Sequence, residues 1–390
     1  MKVPSTSCTP SSSRMLFLDG IRGIMAINVV LNHFIIVFFP DMIFWDNGAN
    51  SLNSTPLQAF YNGSIAVTFF FTLSAFLTSY LILQKRTFSI KDLITRIIKR
   101  YLRLIPIVLL AVLCTYLLMR LDLLYHLKIN RDFLIPYCNF VPNFFDALKD
   151  AFVDTFITTS KYVSPFWFLR YDFCGYITTL CTLYIIIKFE KLYKFRRIFI
   201  LFCLVIYTLV SVQLTAFAFG ILLADLYIGD KALFSHRLNL KHPKPTIICS
   251  ILGIYLITIP LQFVGIWYPL KFIPLFTHPR CWCALGWMLC LWAVLNSKNS
   301  QKILSNKFIL FLGKISFPIY AIHWLCMLSL QDFLFYIFKD SLSYTSSALL
   351  AFSITFPIII LTSYTIWLLL EKNSPLKRLS DFITKHKKLR

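Results

Sequence analysis

Apolar runs of around 20 residues recur along the whole 390-residue chain, each separated from the next by a short polar patch. A run of that length crosses a hydrocarbon layer of about 30 Å as a single helix. Inside such a layer every backbone N–H and C=O must find a partner within the protein, and long unbroken runs meet that demand as helices. The fold class that follows is all-α: a polytopic membrane protein built as a bundle of about ten transmembrane helices. The runs predict spans near residues 16–39, 63–83, 104–119, 167–187, 198–211, 214–228, 246–266, 281–295, 308–330 and 346–370. Only 14% of residues are charged, against about 25% in a soluble domain. No polar stretch is long enough to enclose a second core. One transmembrane domain over 16–376 is expected, after a Ser-rich, disordered cytosolic segment (1–15) and before a basic cytosolic tail (377–390).

The formal net charge is +22. In a soluble protein that would point to nucleic acid; here the basic residues sit between apolar runs, so topology explains them and no nucleic-acid partner is expected. Of the 39 Lys and Arg, 28 fall in one alternating set of segments, 8 in the opposite set, and Arg22, Arg170 and Lys314 within spans. Positive charge stays on the cytosolic side, which places both termini in the cytosol. The acceptor patterns Asn53-Ser54-Thr55 and Asn62-Gly63-Ser64 lie in the first outer loop, as expected for a membrane of the endoplasmic reticulum, Golgi or cell surface. The eleven cysteines lack paired spacing, so neither a disulfide framework nor a metal site is expected.

Ionisable groups inside spans cost roughly 2.5–3.5 kcal/mol each and therefore point to function. Asp19, Arg22, His33, Arg170, Asp172, Asp225, Lys314 and His323 are such groups. Counted from the outer ends of their spans, His33, Asp172 and His323 sit at roughly 8–10 Å depth, one shared level. Arg22 lies toward the inner half, near the level of Arg100 and Arg103. Cations at the cytosolic mouth with acid–base groups further along suit a reaction across the bilayer.

Several motifs then become recognisable. Leu18-Asp19-Gly20-Ile21-Arg22-Gly23 with His33 resembles the opening of the acyltransferase 3 family of membrane acyltransferases, with its Arg, ten residues and His. Phe70 to Leu77 resembles the family's second helix, and Arg100-Tyr101-Leu102-Arg103 its paired arginines. Trp167-Phe168-Leu169-Arg170-Tyr171-Asp172-Phe173 looks like its Trp-x-Leu-x-x-Glu-Phe segment, in the manner of the fungal branch. Ser316 to Trp324 resembles the late stretch ending in His, and Glu371 with Pro375 the closing element. The departures are Ala75 for Gly, Asp172 for Glu, and Arg170 for a small residue or Pro.

The resemblance implies transfer of an acetyl or short acyl group from cytosolic acyl-CoA to a hydroxyl of a glycan or small molecule. Acyl-CoA is then a co-substrate, and no permanently bound cofactor or metal is implied. His33 takes the role of general base, which suits an imidazole. Arg22, Arg100 and Arg103 are expected to hold the phosphates through two-point guanidinium contacts. Asp172 is expected to orient an imidazole or support its protonated form. Trp167, Tyr320 and His323 are expected to line the acceptor cavity, and Asp19 and Glu371 to be structural. Two other classes remain open on the residues alone. Buried His and Asp also suit a proton-coupled transporter, although no internal repeat is visible. The departures at Ala75 and Asp172 also suit a non-catalytic relative acting as a membrane scaffold.

Overall fold

Polar residues at the edges of the apolar runs decide where helices start and stop. The computed structural model describes residues 15–44, 55–129, 138–237, 244–260, 263, 265–273 and 276–372. The N-terminal segment to Arg14, Asn53, Pro375 and the basic tail lie outside the described residues. Asn62 starts α2 (Gly63–Lys85), its Oδ1 accepting from the Ser64 N–H at 2.9 Å. Its Nδ2 donates to Gln58 Oε1 at 2.8 Å, so the Asn62 side chain is committed to the cap. Ser89 and Asp92 form a reciprocal capping box at the start of α3 (Ile90–Arg120). Helix α2 ends at Arg86, in the left-handed region with φ 54°.

The remaining long helices are α1 (Leu16–Phe38), α4 (Trp167–Lys188), α5 (Arg196–Val210), α6 (Val212–Arg237), α7 (Lys244–Ile257), α8 (Pro279–Leu295), α9 (Ser316–Cys326) and α10 (Tyr344–Ile366). Helix α9 continues through a π-turn, Met327–Gln331, into Asp332–Phe338. No strand occurs among the described residues. Six helical stretches are long and apolar enough to cross a membrane: 16–38, 63–85, 90–120, 212–229, 316–338 and 344–372. The end of the bundle where α1 begins is called the near end below, and the opposite end the far end.

Three segments differ from expectation. Helix α3 starts at Ile90, well before residue 104, because the capping box opens it early. Its first turns show a stripe of exposed Ile94, Ile98 and Leu102 at helical spacing beside Lys91, Arg96 and Lys99, a pattern suited to an interface. The span expected at 246–266 ends as helix at Ile257, because Pro260 disfavours helical backbone before it; a 3-10 stretch, Gly265–Phe272, follows. The span expected at 308–330 is broken at Ile315 into Lys307–Lys314 and α9.

That broken element is held by glycine. A Cβ on Gly23 would strike the backbone of Leu312 and Gly313, and one on Gly313 would strike Asp19 O. The two glycines let α1 and Lys307–Lys314 touch backbone to backbone, as small residues do inside membranes. A similar fit joins α2 to α6: Gly220 faces Ala75 and the Thr72 carbonyl with no room for a side chain. Ala75, buried at 1% exposure, is therefore accommodated by a glycine on the opposing helix.

The segment between α3 and α4 forms a re-entrant arm. Phe144–Lys149, a π-turn (Asp150–Asp154) and Thr155–Ile157 run back along α3. Phe144 meets Tyr116 at 5.9 Å and Phe156 meets Tyr101, some four turns nearer the start of α3, at 5.1 Å. The chain then returns so that the Tyr162 hydroxyl donates to Asn143 O at 2.9 Å. Buried Asp150 closes the hairpin, accepting from Ser160 Oγ at 2.6 Å and Lys161 N at 2.9 Å.

Candidate active site

The spacing of Arg22 and His33 has a geometric meaning. Eleven positions make about three helical turns, so both side chains leave the same face of α1, roughly 16 Å apart along its axis. Val29, one turn before His33, is buried, whereas both Arg22 and His33 keep part of their surface open.

His33 does not stand alone. Its Nδ1 lies 3.0 Å from Nε2 of His323 on α9, with ring centroids 4.9 Å apart. Trp324 stands edge-on against the His33 ring at 5.1 Å. The partners assign the protons. His323 Nδ1 faces two carbonyl oxygens, Ile319 at 3.1 Å and Tyr320 at 2.8 Å, so it carries a hydrogen and Nε2 is a bare acceptor. His33 Nδ1 faces that acceptor and the Val29 carbonyl at 3.0 Å, so it too carries a hydrogen. The lone pair of His33 is therefore on Nε2, which has no hydrogen-bond partner among the described residues and is not enclosed. A fully buried imidazole thus fixes the tautomer of a half-open one, because an acceptor held against one ring nitrogen keeps the proton there.

The acidic group lies elsewhere. Both Asp172 oxygens sit 2.6 Å from Nη2 of Arg100, which also donates to Ser74 Oγ at 3.0 Å. The Tyr176 ring lies under the guanidinium at 4.2 Å. Arg100 therefore fastens α2, α3 and α4 together. The expectation that Asp172 orients an imidazole is corrected: its partner is Arg100, and Ser74 marks a layer about three turns along α2 from Gly63, which itself packs against Asn32 beside His33. The shared depth expected for His33, Asp172 and His323 holds for the two histidines alone. Arg170, beside Asp172 in sequence, points outward over Tyr171.

Arg100 is correspondingly paired with Asp172 through Nη2. Arg103 differs: its side chain is exposed, and its charged neighbours are Arg100, Arg22, Asp172 and Glu371. Arg22 pairs with Asp19 one turn away at 3.3 Å, with 37% of its side chain open. Glu371, in the π-helical stretch Trp367–Lys372 that continues α10, has Arg103 and Arg22 as its charged neighbours. Arg22, Arg103 and Glu371 thus converge from three elements, and Asp19 serves as the counter-ion of Arg22.

Trp167 lies at the far end. It lines a narrow cleft, with room for about 10 Å³, together with Ser64, Thr68, Phe71, Gln213 and Arg280. The cleft connects to the imidazoles through rings: Phe71 stacks on Phe168 at 5.3 Å, Phe168 meets Tyr320 at 4.9 Å, and Tyr320 abuts His323 at 5.9 Å. Tyr320 is buried and its hydroxyl donates to the Pro165 carbonyl, so it holds the entrance to α4 and is not free for an acceptor. Arg280 and Gln213 had no motif to mark them; Arg280 counts in the sequence only as an outer-loop cation. The His33–His323 contact spans 290 positions, and no spacing rule exposes it.

A family model described as an acyltransferase domain matches residues 15–368, nearly the whole chain. Comparison with curated proteins and with solved structures finds no match.

Proposed function

The chain belongs to this acyltransferase 3 family, and from that premise we propose that it moves an acetyl or short acyl group from cytosolic acyl-CoA to a hydroxyl of a glycan or small-molecule acceptor. His33 Nε2 acts as general base. Several apolar helices together with the family make the protein a multi-pass membrane acyltransferase. The near end, rich in Lys and Arg, faces the cytosol in this proposal, and both termini lie there.

The acceptor oxygen attacks the thioester carbonyl while His33 Nε2 takes its proton. The tetrahedral intermediate collapses, the C–S bond breaks, and the imidazolium returns its proton to the departing thiolate. Charge that appears on His33 in between is met by its Nδ1–H bond to the bare Nε2 of neutral His323. Arg22 and Arg103 hold the donor's phosphates at the near end. A donor anchored there with its reactive carbon at His33 must be a long, thin arm running along one face of α1, and acyl-CoA has that shape.

The observation that carries the reading is the open Nε2 of His33 on the helix face it shares with Arg22. Purified protein incubated with radiolabelled acetyl-CoA and an acceptor panel is expected to transfer label, and His33→Ala to lose at least about 100-fold in rate. Undiminished transfer by His33→Ala would remove the base from the mechanism. Proton-driven uptake into vesicles without acyl-CoA would favour a carrier instead.

A further inference from the structure

We propose that the far-end cleft is an anion subsite that holds a carboxylate of the acceptor, so that the acceptor class is an acidic, hydroxyl-bearing molecule such as a uronic acid residue. The proposal rests on the acyl-transfer reading for its consequence and on its own geometry for the binding.

The first observation is the unneutralised guanidinium of Arg280. Its Nε donates to Ser64 Oγ at 3.2 Å, and its two terminal nitrogens make no ion pair or hydrogen bond among the described residues. Its titratable neighbours are Cys283 and Tyr171, neither a carboxylate. Every other arginine of the helix interior described above has an acid beside it: Asp19 for Arg22, Asp172 for Arg100, Glu371 for Arg103. Arg280 keeps a full positive charge aimed into a cleft with no anion to meet it.

The second observation is that the lining offers donors. Gln213 has its amide oxygen taken by Ser211 Oγ at 2.7 Å, which leaves the NH₂ group. Ser64 Oγ already accepts from Arg280, so its hydroxyl hydrogen remains to be given. The third is orientation. Ser64, Trp167, Gln213 and Arg280 each lie within the first two residues of α2, α4, α6 and α8, helices of 23, 22, 26 and 17 residues. Four helix N-termini therefore turn their positive ends on one point. His278, just outside α8, adds no charge: burial and the Arg280 cation push its pKa below the ordinary value, and its Nδ1 accepts from Arg280 N at 3.1 Å.

Charge, donors and dipoles all favour an anion and oppose a cation. The cleft has room for about one water-sized group, about 10 Å³, so only the carboxylate end of an acceptor reaches the Arg280 edge and the rest of the acceptor lies outside it. A carboxylate fits the free Nη edge of Arg280 by two-point bonding. The cleft and His33 share a neighbourhood: Gly63, next to Ser64, packs on Asn32, next to His33.

The test compares methyl glucuronide with methyl glucoside, which differ only in a carboxylate against a hydroxymethyl group. Binding is read by tryptophan fluorescence in detergent micelles without acyl-CoA, and transfer is read separately with labelled acetyl-CoA. The parent is expected to prefer the uronide about 10- to 100-fold in both readouts. Arg280→Gln should bring the ratio near one, and Arg280→Lys should restore part of it; melting curves establish that both variants are folded. A parent ratio near one, or a preference that survives Arg280→Gln in folded protein, overturns the proposal. Uronide binding that depends on Arg280 without transfer to any acceptor leaves the subsite standing and defeats the acyl-transfer reading. Displacement of the uronide by phosphatidylglycerol, with no displacement by neutral lipid, assigns the cleft to a lipid phosphate and also overturns it.

Discussion

Removing Asp172 should destabilise the bundle far more than removing Asp172 and Arg100 together. The pair is enclosed, with side-chain exposures of 13% and 7%, and both carboxylate oxygens lie 2.6 Å from one guanidinium nitrogen. Breaking a buried pair by taking one partner leaves an uncompensated charge and costs about 3–5 kcal/mol. Asp172→Leu keeps the Tyr176 ring under the cation, worth about 1–2 kcal/mol when desolvated, so its cost should fall near 3 kcal/mol. Arg100→Met loses that contact as well and should approach 5 kcal/mol. The double variant exchanges two buried charges for apolar volume and should lie within about 1 kcal/mol of the parent. The coupling energy from the four proteins is then about 7 kcal/mol, well above the roughly 0.6 kcal/mol average for interhelical polar contacts inside membranes. Denaturation in mixed micelles, followed by tryptophan fluorescence, measures it. If each single variant loses under about 1 kcal/mol, or the double variant is no better than the worse single, Arg100–Asp172 is not the clamp described. A well-folded double variant that cannot turn over acyl-CoA would equally refute a purely structural role.

His323→Ala should lower kcat by about 10-fold or more with little change in KM, because it removes the acceptor that fixes the His33 tautomer and leaves the phosphate contacts in place; a rise in KM alone would contradict the imidazole pairing. Gly220→Ala should cost about 1–3 kcal/mol in the same denaturation assay, because the new methyl collides with the Thr72 carbonyl and Ala75; pairing it with Ala75→Gly should recover part of the loss. Asp150→Ala should strand the Ser160 hydroxyl and Lys161 N–H, costing about 1–3 kcal/mol and speeding hydrogen exchange across 144–163, a result that an unchanged exchange rate would exclude.

What the sequence disclosed follows from what repeats or lies close in the chain. Apolar runs declare helices because length and composition suffice, and the Arg22–His33 spacing is legible because one helix carries both residues. Partners across helices are not legible in this way. Asp172 has Arg170 nearby and three candidate arginines elsewhere, and only packing selects Arg100, which lies 72 positions away. Equal depth counted from helix ends misplaced Asp172, because α4 begins inside the bundle, where Tyr320 holds Pro165. The arm at 144–157 hid for another reason: a π-turn interrupts its period, and its polar residues face a hairpin that composition does not reveal. Arg280 reads in sequence as one more loop charge, because nothing in its flanking residues marks the cleft that α2, α4, α6 and α8 build around it.

The near-end charges also bear on how a donor is exchanged. Three guanidiniums stand among three carboxylates, Asp19, Asp172 and Glu371, so the mouth is far less positive than its arginines alone imply. These pairings are unequal. Arg22 and Asp19 meet at 3.3 Å on one helix with much of the arginine open, and such an exposed pair is worth about 0–1 kcal/mol. A phosphate therefore displaces Asp19 from Arg22 at little cost. Arg100, enclosed with Asp172, cannot be borrowed without the penalty of a stranded buried charge. In the proposed function the donor's phosphates are thus left to Arg22 and Arg103, with Glu371 an electrostatic neighbour of both. If CoA is the spent donor, as proposed, tighter ground-state binding would bring no gain, because uniform affinity does not raise kcat. In the proposed function, loose, partly neutralised cations at the mouth and an enclosed ion pair behind them serve two separate needs, product exchange and a fixed frame joining α2, α3 and α4.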